Sequence, residues 1–201
     1  MDERKTGRGR AWAWCAATAA GAAIGLAALA AGGKADAPKM GKEELRKRGE
    51  YLVNSYGCND CHTPMKMGPK GPEPDMSRFL SGHPAEVKVP PAPNLGGGWM
   101  WAGNATNTAF AGPWGVSYAI NLTPDAETGI GQWPAEYFLK AMRTGRHVGV
   151  GRPILPPMPW QGLGHLTDED LTAMFTYLKS LKPIHNPVPQ PALAPAPPTK
   201  P

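Results

Sequence analysis

The sequence predicts a mostly α domain, three helices joined by long irregular connections. Three observations predict it. Apolar residues recur at helical spacing in three separated stretches. Gly and Pro crowd the segment between the first helix and the second. A five-residue run, Cys58-Asn59-Asp60-Cys61-His62, follows directly on the first helix.

The first helix is expected over Lys42 to Tyr56. Its apolar stripe is Leu45, Leu52, Val53 and Tyr56, with Gly49 on the same side. A glycine there lowers helix propensity but lets a second helix approach closely. Residues 63–120 read as irregular, with runs such as Gly68-Pro69-Lys70-Gly71-Pro72-Glu73-Pro74 and Pro90-Pro91-Ala92-Pro93. So long a connection in a small domain is either functional or disordered. Trp99, Trp101, Trp114 and Tyr118 argue for order, and one short hairpin is expected near Trp99 to Phe110. The second helix is expected over Trp133 to Thr144, with Pro134 in its first turn, Gly145 at its end and Phe138, Ala141 and Met142 on its buried face. The third runs from about Asp168 to Leu181. Thr167 and Asp170 form a start resembling a capping box, and Leu171, Met174, Phe175, Leu178 and Leu181 form its stripe. Pro183 to Pro201 holds eight prolines in nineteen residues and is expected to be a polyproline-like tail outside the core.

The run Cys58 to His62 is a C-x-x-C-H motif, the pattern for covalent attachment of a c-type haem. Two thiols three positions apart lie on one face of a helical turn and can add to two vinyl groups along one porphyrin edge. The adjacent His62 can then offer its imidazole to the iron. A thioredoxin-like reading would need a βαβ context, and a zinc site would need a second ligand pair. The third cysteine, Cys15, lies in the leader. The sequence holds one C-x-x-C-H and so implies one haem. Three helices and loops this rich in Pro and Gly make a poor apolar core alone, so instability without the cofactor is expected.

The start of the chain bears on compartment. Ala11 to Gly33 is a stretch of 23 residues free of Asp, Glu, Lys, Arg and His, preceded by Arg4, Lys5, Arg8 and Arg10. That is an export signal, with Ala28-Leu29-Ala30 as the cleavage site. The stretch is also long enough to anchor the chain in the inner membrane if retained. Residues 1–31 are thus read as signal peptide or anchor, 32–41 as linker, 42–183 as the folded domain and 184–201 as tail. The formal charge is +5 overall, partly supplied by the leader, which gives no argument for nucleic acid as a partner. The folded part is expected in the periplasm.

A second axial ligand is sought among nine methionines. Met158 stands in Pro156-Pro157-Met158-Pro159-Trp160, where prolines fix the backbone on both sides. A thioether opposite a histidine suits an electron carrier and raises its potential. Met76 and Met100 compete with Met158, and His147 and His165 are alternative ligands from nearby loops. Met142 and Met174 read as core, and His83 and His185 as surface histidines.

The chain resembles the class I c-type cytochromes, and more narrowly the cytochrome c domains that accompany periplasmic dehydrogenases. The resemblance spans about Lys42 to Pro183. It rests on Tyr56-Gly57-Cys58 to His62, on Asn121-Leu122-Thr123-Pro124-Asp125 through Thr128-Gly129-Ile130-Gly131 to Trp133, and on Pro156 to Trp160 followed by Tyr177-Leu178-Lys179-Ser180-Leu181. It implies a three-helix domain around one covalent haem c, with the long Gly/Pro/Trp-rich 63–120 segment as an insertion. It further implies His62 and Met158 as the axial ligands, and the first helix near Gly49 packed on the third near Tyr177 and Leu178. Asn121, Thr123 and Trp133 are then expected at the haem edge or on a propionate. Arg143 and Arg146 are propionate candidates on charge alone.

The function expected is electron transfer without catalysis: one haem c, reduced by a periplasmic dehydrogenase and oxidised by a respiratory acceptor. A second reading is a cytochrome subunit bound permanently to a dehydrogenase, with the Trp-rich segment as interface. A third is a haem enzyme or sensor with an open sixth position.

Overall fold

The apolar stripe of the last helix has to be covered, and the first helix covers it. In the computed structural model, which describes residues 40–96 and 98–194, α1 (Lys42–Ser55) lies across α5 (Asp168–Ser180). Gly49 sits at the crossing: a Cβ there would collide with the Ala173 carbonyl oxygen and lie 2.8 Å from Cβ of Tyr177. The close approach read from Gly49 is therefore present, and it lands on the part of the last helix that the resemblance implies. The leader, nearly all of the linker and residues 195–201 lie outside the described residues.

The last two long helices carry local start and stop signals. Thr167 caps α5, its hydroxyl accepting from the Asp170 amide at 3.0 Å, and Asp168, Glu169 and Asp170 place negative charge at the positive end of the helix dipole. The third helix in chain order, α3 (Ala135–Thr144), starts behind Pro134. It stops at Gly145, whose φ of 64° is the left-handed conformation that glycine adopts without a Cβ penalty. Two short helices complete the set, α2 (Cys58–His62) and α4 (Trp160–Leu163). Leu52 and Val53 of α1, Phe138 and Met142 of α3 and Leu171, Met174 and Leu178 of α5 form one buried cluster with Leu80, Ile130 and Leu163. Burying such a side chain contributes about 1.5–3 kcal/mol.

The fold is mixed rather than mostly α. The 63–120 segment carries five short strands and the tail a sixth. β1 (Met65–Gly68) pairs with β2 (Gly71–Pro74) across a Pro69-Lys70 turn. β3 (Ala102–Gly103), β4 (Ala109–Gly112), β5 (Gly115–Tyr118) and β6 (Ala192–Leu193) make an antiparallel sheet in that order. The hairpin expected near Trp99 to Phe110 is β3–β4, with Ala102 opposite Ala111 and Gly103 opposite Phe110. The other strands have only two to four residues each. Runs this short cannot carry the sustained alternation of apolar and polar side chains that marks a strand in sequence.

The beginning of the proline-rich segment is part of the packed structure, unlike the free tail expected from composition. Asn186 is buried. Its amide donates to the carbonyls of Ser81 at 2.7 Å and His83 at 2.9 Å, and its side-chain oxygen accepts from the Ala85 amide at 3.0 Å. Beyond it, Leu193 and Ala192 pair with Gly115 and Val116. A segment with few backbone N–H groups needs few partners: the Ile184 and Asn186 amides donate to the Thr123 and Thr128 hydroxyls, and the Ala194 amide to the Trp114 carbonyl. His83 is likewise buried rather than on the surface. Its ring lies 2.9 Å from the Thr108 hydroxyl and 2.8 Å from the Val87 carbonyl oxygen, which satisfies both nitrogens.

Candidate functional site

Cys58 and Cys61 are free thiols on α2, both partly buried, and His62 ends the same helix. Gly57 precedes it at φ 65°, a left-handed break that separates α2 from α1. Burial pushes the Cys58 thiol up to about 11, and Cys61 is raised by the same cause. Burial thus disfavours the thiolate at both sulfurs, which would form the two thioether bonds to a haem. Cys58 packs against the main apolar cluster, so α2 is seated on the core.

His62 is buried, and its Nδ1 lies 2.8 Å from the Ile120 carbonyl oxygen. A carbonyl can only accept, so the proton is on Nδ1 and Nε2 carries the lone pair. Among the described residues no hydrogen bond occupies Nε2. Burial lowers the affinity of the ring for a second proton, with the Ile120 carbonyl opposing that shift. The result is a neutral imidazole in a fixed tautomer with one free nitrogen. This donor set fits a haem iron: a second partner that accepts the other ring proton orients an axial imidazole and raises its basicity.

The other sequence-predicted residues fall into two groups. Met158 is half-buried and packs against the main cluster together with Cys58 and Trp133. Its competitors Met76 and Met100 are 64% and 72% exposed. The Met158 loop is held at several points. Ile154 donates to the Gly145 carbonyl at 2.8 Å, Trp160 donates to the Met158 carbonyl at 2.9 Å, and the Trp160 indole lies where a Cβ on Gly145 would stand. Asn121 and Trp133 line one cleft of about 500 Å3 with Ile130, His147 and Arg152. His147 stands edge-on to Trp133 with centroids 5.2 Å apart, while His165 and His185 are exposed.

Asn121 and Thr123 are buried and their polar atoms are already used. The Asn121 amide donates to the Ile184 carbonyl at 2.8 Å and the Thr128 hydroxyl at 3.1 Å, and its oxygen accepts from the Thr123 amide and hydroxyl. These bonds tie the 121–128 loop to residue 184 and fix the carbonyl of the preceding Ile120. Arg143 is spent as well, on the carbonyls of Gly164 and Leu166 and on Asp168. Arg146 donates to the Gly151 carbonyl at 2.9 Å. Two residues had no sequence signal. Ile120 acts through its main chain, which any residue could supply. Ser117, buried on β5, donates to the Pro156 carbonyl at 2.6 Å, a pairing 39 residues apart that no local pattern encodes.

Among the described residues, no three His, Cys, Asp or Glu side chains cluster as a metal site, and no helix is long and apolar enough to cross a membrane.

Comparison with known proteins points the same way as the site. The chain is 32% identical over 164 residues to the cytochrome c subunit of alcohol dehydrogenase (quinone) from Gluconobacter oxydans, covering 81% of this chain and 27% of that protein. It is 29% identical over 191 residues to a nicotinate dehydrogenase subunit from Pseudomonas putida, covering 92% of this chain and 13% of that protein. It is 29% identical over 144 residues to the fructose dehydrogenase cytochrome subunit from Gluconobacter japonicus, covering 71% of this chain and 23% of that protein. No protein-family model matches the chain. The chain spans about a quarter or less of the length of these relatives. A C-x-x-C-H helix with a carbonyl-oriented histidine, carried on homology across most of the chain, makes this a c-type cytochrome. Within that family it is homologous to the cytochrome c subunits of dehydrogenases.

Proposed function

We propose that this chain is a periplasmic electron carrier with one covalently bound haem c, attached at Cys58 and Cys61 and held between His62 and Met158. The observation that carries the reading is the His62 Nδ1 bond to the Ile120 carbonyl, which leaves Nε2 free on the helix that bears both thiols. When bound, such a haem supplies a one-electron couple at the iron. The protein's own work is positional. α2 presents both sulfurs from one turn, and Ile120 keeps the imidazole oriented. The proline-flanked loop fixes the Met158 thioether, so little rearrangement accompanies a change of iron charge. Trp133 and Ile130 supply an apolar border, and Asn121 and Thr123 support it by locking the loop behind Ile120. No group is needed for bond making or breaking in a substrate, so the chain is a carrier and not itself an enzyme.

Its partners would be a periplasmic dehydrogenase as donor and a respiratory chain component as acceptor. The names of the relatives, subunits of alcohol and fructose dehydrogenases, favour a chain that works as a dehydrogenase subunit over one that diffuses freely. Export rests on the leader, with residues 11–33 available as an inner-membrane anchor where they are retained.

The test is an absorption spectrum of the purified protein beside Met158→Ala. The parent should show a low-spin haem with a weak far-red sulfur-to-iron band in the ferric state, and the variant should lose that band and bind carbon monoxide when reduced. A variant spectrum identical to the parent's would remove Met158 as ligand. Colourless protein with two alkylatable thiols would remove the haem.

A further inference from the structure

We infer that Ser117 is a positioning residue for the sixth ligand, and that β5 with the two residues after it acts as a bracket joining the elements that carry the two axial ligands. The inference rests on the reading of His62 and Met158 as those ligands. The Ser117 hydroxyl donates to the Pro156 carbonyl at 2.6 Å, two residues before Met158. Three residues further along, the Ile120 carbonyl receives the His62 Nδ1 proton at 2.8 Å. One stretch of four residues, about 10 Å of extended chain, therefore holds the histidine at one end and the methionine loop at the other.

The bracket is stiff. β5 is flanked on one side by β4, where Ser117 stands opposite Phe110, and on the other by β6. Ala119, between the two anchor points, donates to Thr108 and accepts from His83, both at 2.9 Å. The methionine loop has few bonds of its own. Pro156, Pro157 and Pro159 lack N–H groups, and the Met158 amide reaches the Leu155 carbonyl only at 3.4 Å. Among the described residues the Ser117 hydroxyl is the side-chain donor from outside the loop that fixes it ahead of Met158. This gives the insertion a role: it sets the separation and rigidity of the ligand pair. An iron–thioether bond is weak, so its occupancy depends on how rarely the loop swings away.

The experiment uses the ferric holo-protein titrated with imidazole at constant pH, reading loss of the far-red band. Ser117→Ala should bind imidazole about tenfold more tightly than the parent, the effect of one buried hydrogen bond on loop opening. Ser117→Thr, which keeps a hydroxyl on the strand, should restore most of the parent affinity. Thr176→Ala, which deletes the hydroxyl that donates to the Thr172 carbonyl at 2.8 Å on α5, serves as the control for a general loss of stability and should leave the affinity unchanged. Equal imidazole affinity in Ser117→Ala and parent, or an equal rise in the Thr176 variant, overturns the proposal. If Ser117→Ala yields too little holo-protein, the imidazole on-rate of Ser117→Thr against the parent decides: a rise of more than about tenfold shows that the hydroxyl alone does not hold the loop, and the proposal fails. Loss of the ligand assignment itself is seen separately, as a far-red band that survives in Met158→Ala.

Discussion

The Nδ1 of His62 and the carbonyl oxygen of Ile120 stand 2.8 Å apart across 58 residues of sequence. That bond fixes which imidazole nitrogen is free. It also makes a main-chain atom part of the site, so mutations act on it only through what holds the main chain.

Asn121 is what holds it. Its side chain bonds Ile184, Thr128 and Thr123, and all of these lose partners in Asn121→Ala. The variant should be destabilised by about 2–4 kcal/mol, read by guanidinium denaturation of the holo-protein. Its reduction potential should shift too, because the His62 carbonyl partner moves. A potential unchanged within error alongside the stability loss would confine Asn121 to the scaffold.

Gly49 tests the helix crossing. A methyl at this position meets the Ala173 carbonyl, which is backbone and cannot rotate away. Gly49→Ala should cost about 3 kcal/mol or more through overpacking, outweighing the gain in helix propensity of about 1 kcal/mol. The measurement is the denaturation midpoint together with holo-protein yield. A neutral or stabilised variant would show that α1 and α5 have room between them.

Asn186 tests whether the segment after Pro183 is structural. Asn186→Ala strands the Ser81 and His83 carbonyls and the Ala85 amide in a buried position. A loss of about 2–4 kcal/mol is expected, with faster proteolysis after residue 183. Parent-like resistance would return this stretch to the status of a loose tail.

His83 gives a pH dependence. Burial lowers its folded pKa below the ordinary 6.5, with the Val87 carbonyl and Glu86 opposing. The unfolded chain therefore takes up a proton first as pH falls. The stability contributed by neutral, buried His83 is full above about pH 6.5 and declines below that value. His83→Gln should flatten the fall in stability between about pH 7.5 and about pH 5, measured by denaturation at each pH. Parallel curves for parent and variant would mean that other groups carry the acid sensitivity.

Where sequence reasoning succeeded, the information was local. Gly49, Thr167 and Gly145 each announce a close approach, a cap or an end through the chemistry of one residue and stand where expected, while Pro134 stands just ahead of the helix and not in its first turn. The C-x-x-C-H spacing is likewise a property of one helical turn. The sheet was largely illegible because Ala109–Gly112 and Gly115–Tyr118 are too short and too rich in small residues to alternate. The packed start of the tail was illegible because proline content reports a lack of donors and not the presence of acceptors elsewhere that suit the remaining ones.

By itself, then, the sequence determined the haem attachment motif, the three long helices and a proline-fixed methionine, since each depends on residues within a few positions of one another. Tertiary structure alone decided that Ile120 orients His62, that Ser117 grips the loop ahead of Met158, and that Asn186 and His83 are interior. Those partners are separated by 58, 39 and about 100 residues, and by 4 and 25 for the two contacts of His83. The physical reason is that a hydrogen bond to a main-chain carbonyl is available at nearly every residue. Only the folded path of the chain selects which carbonyl is used.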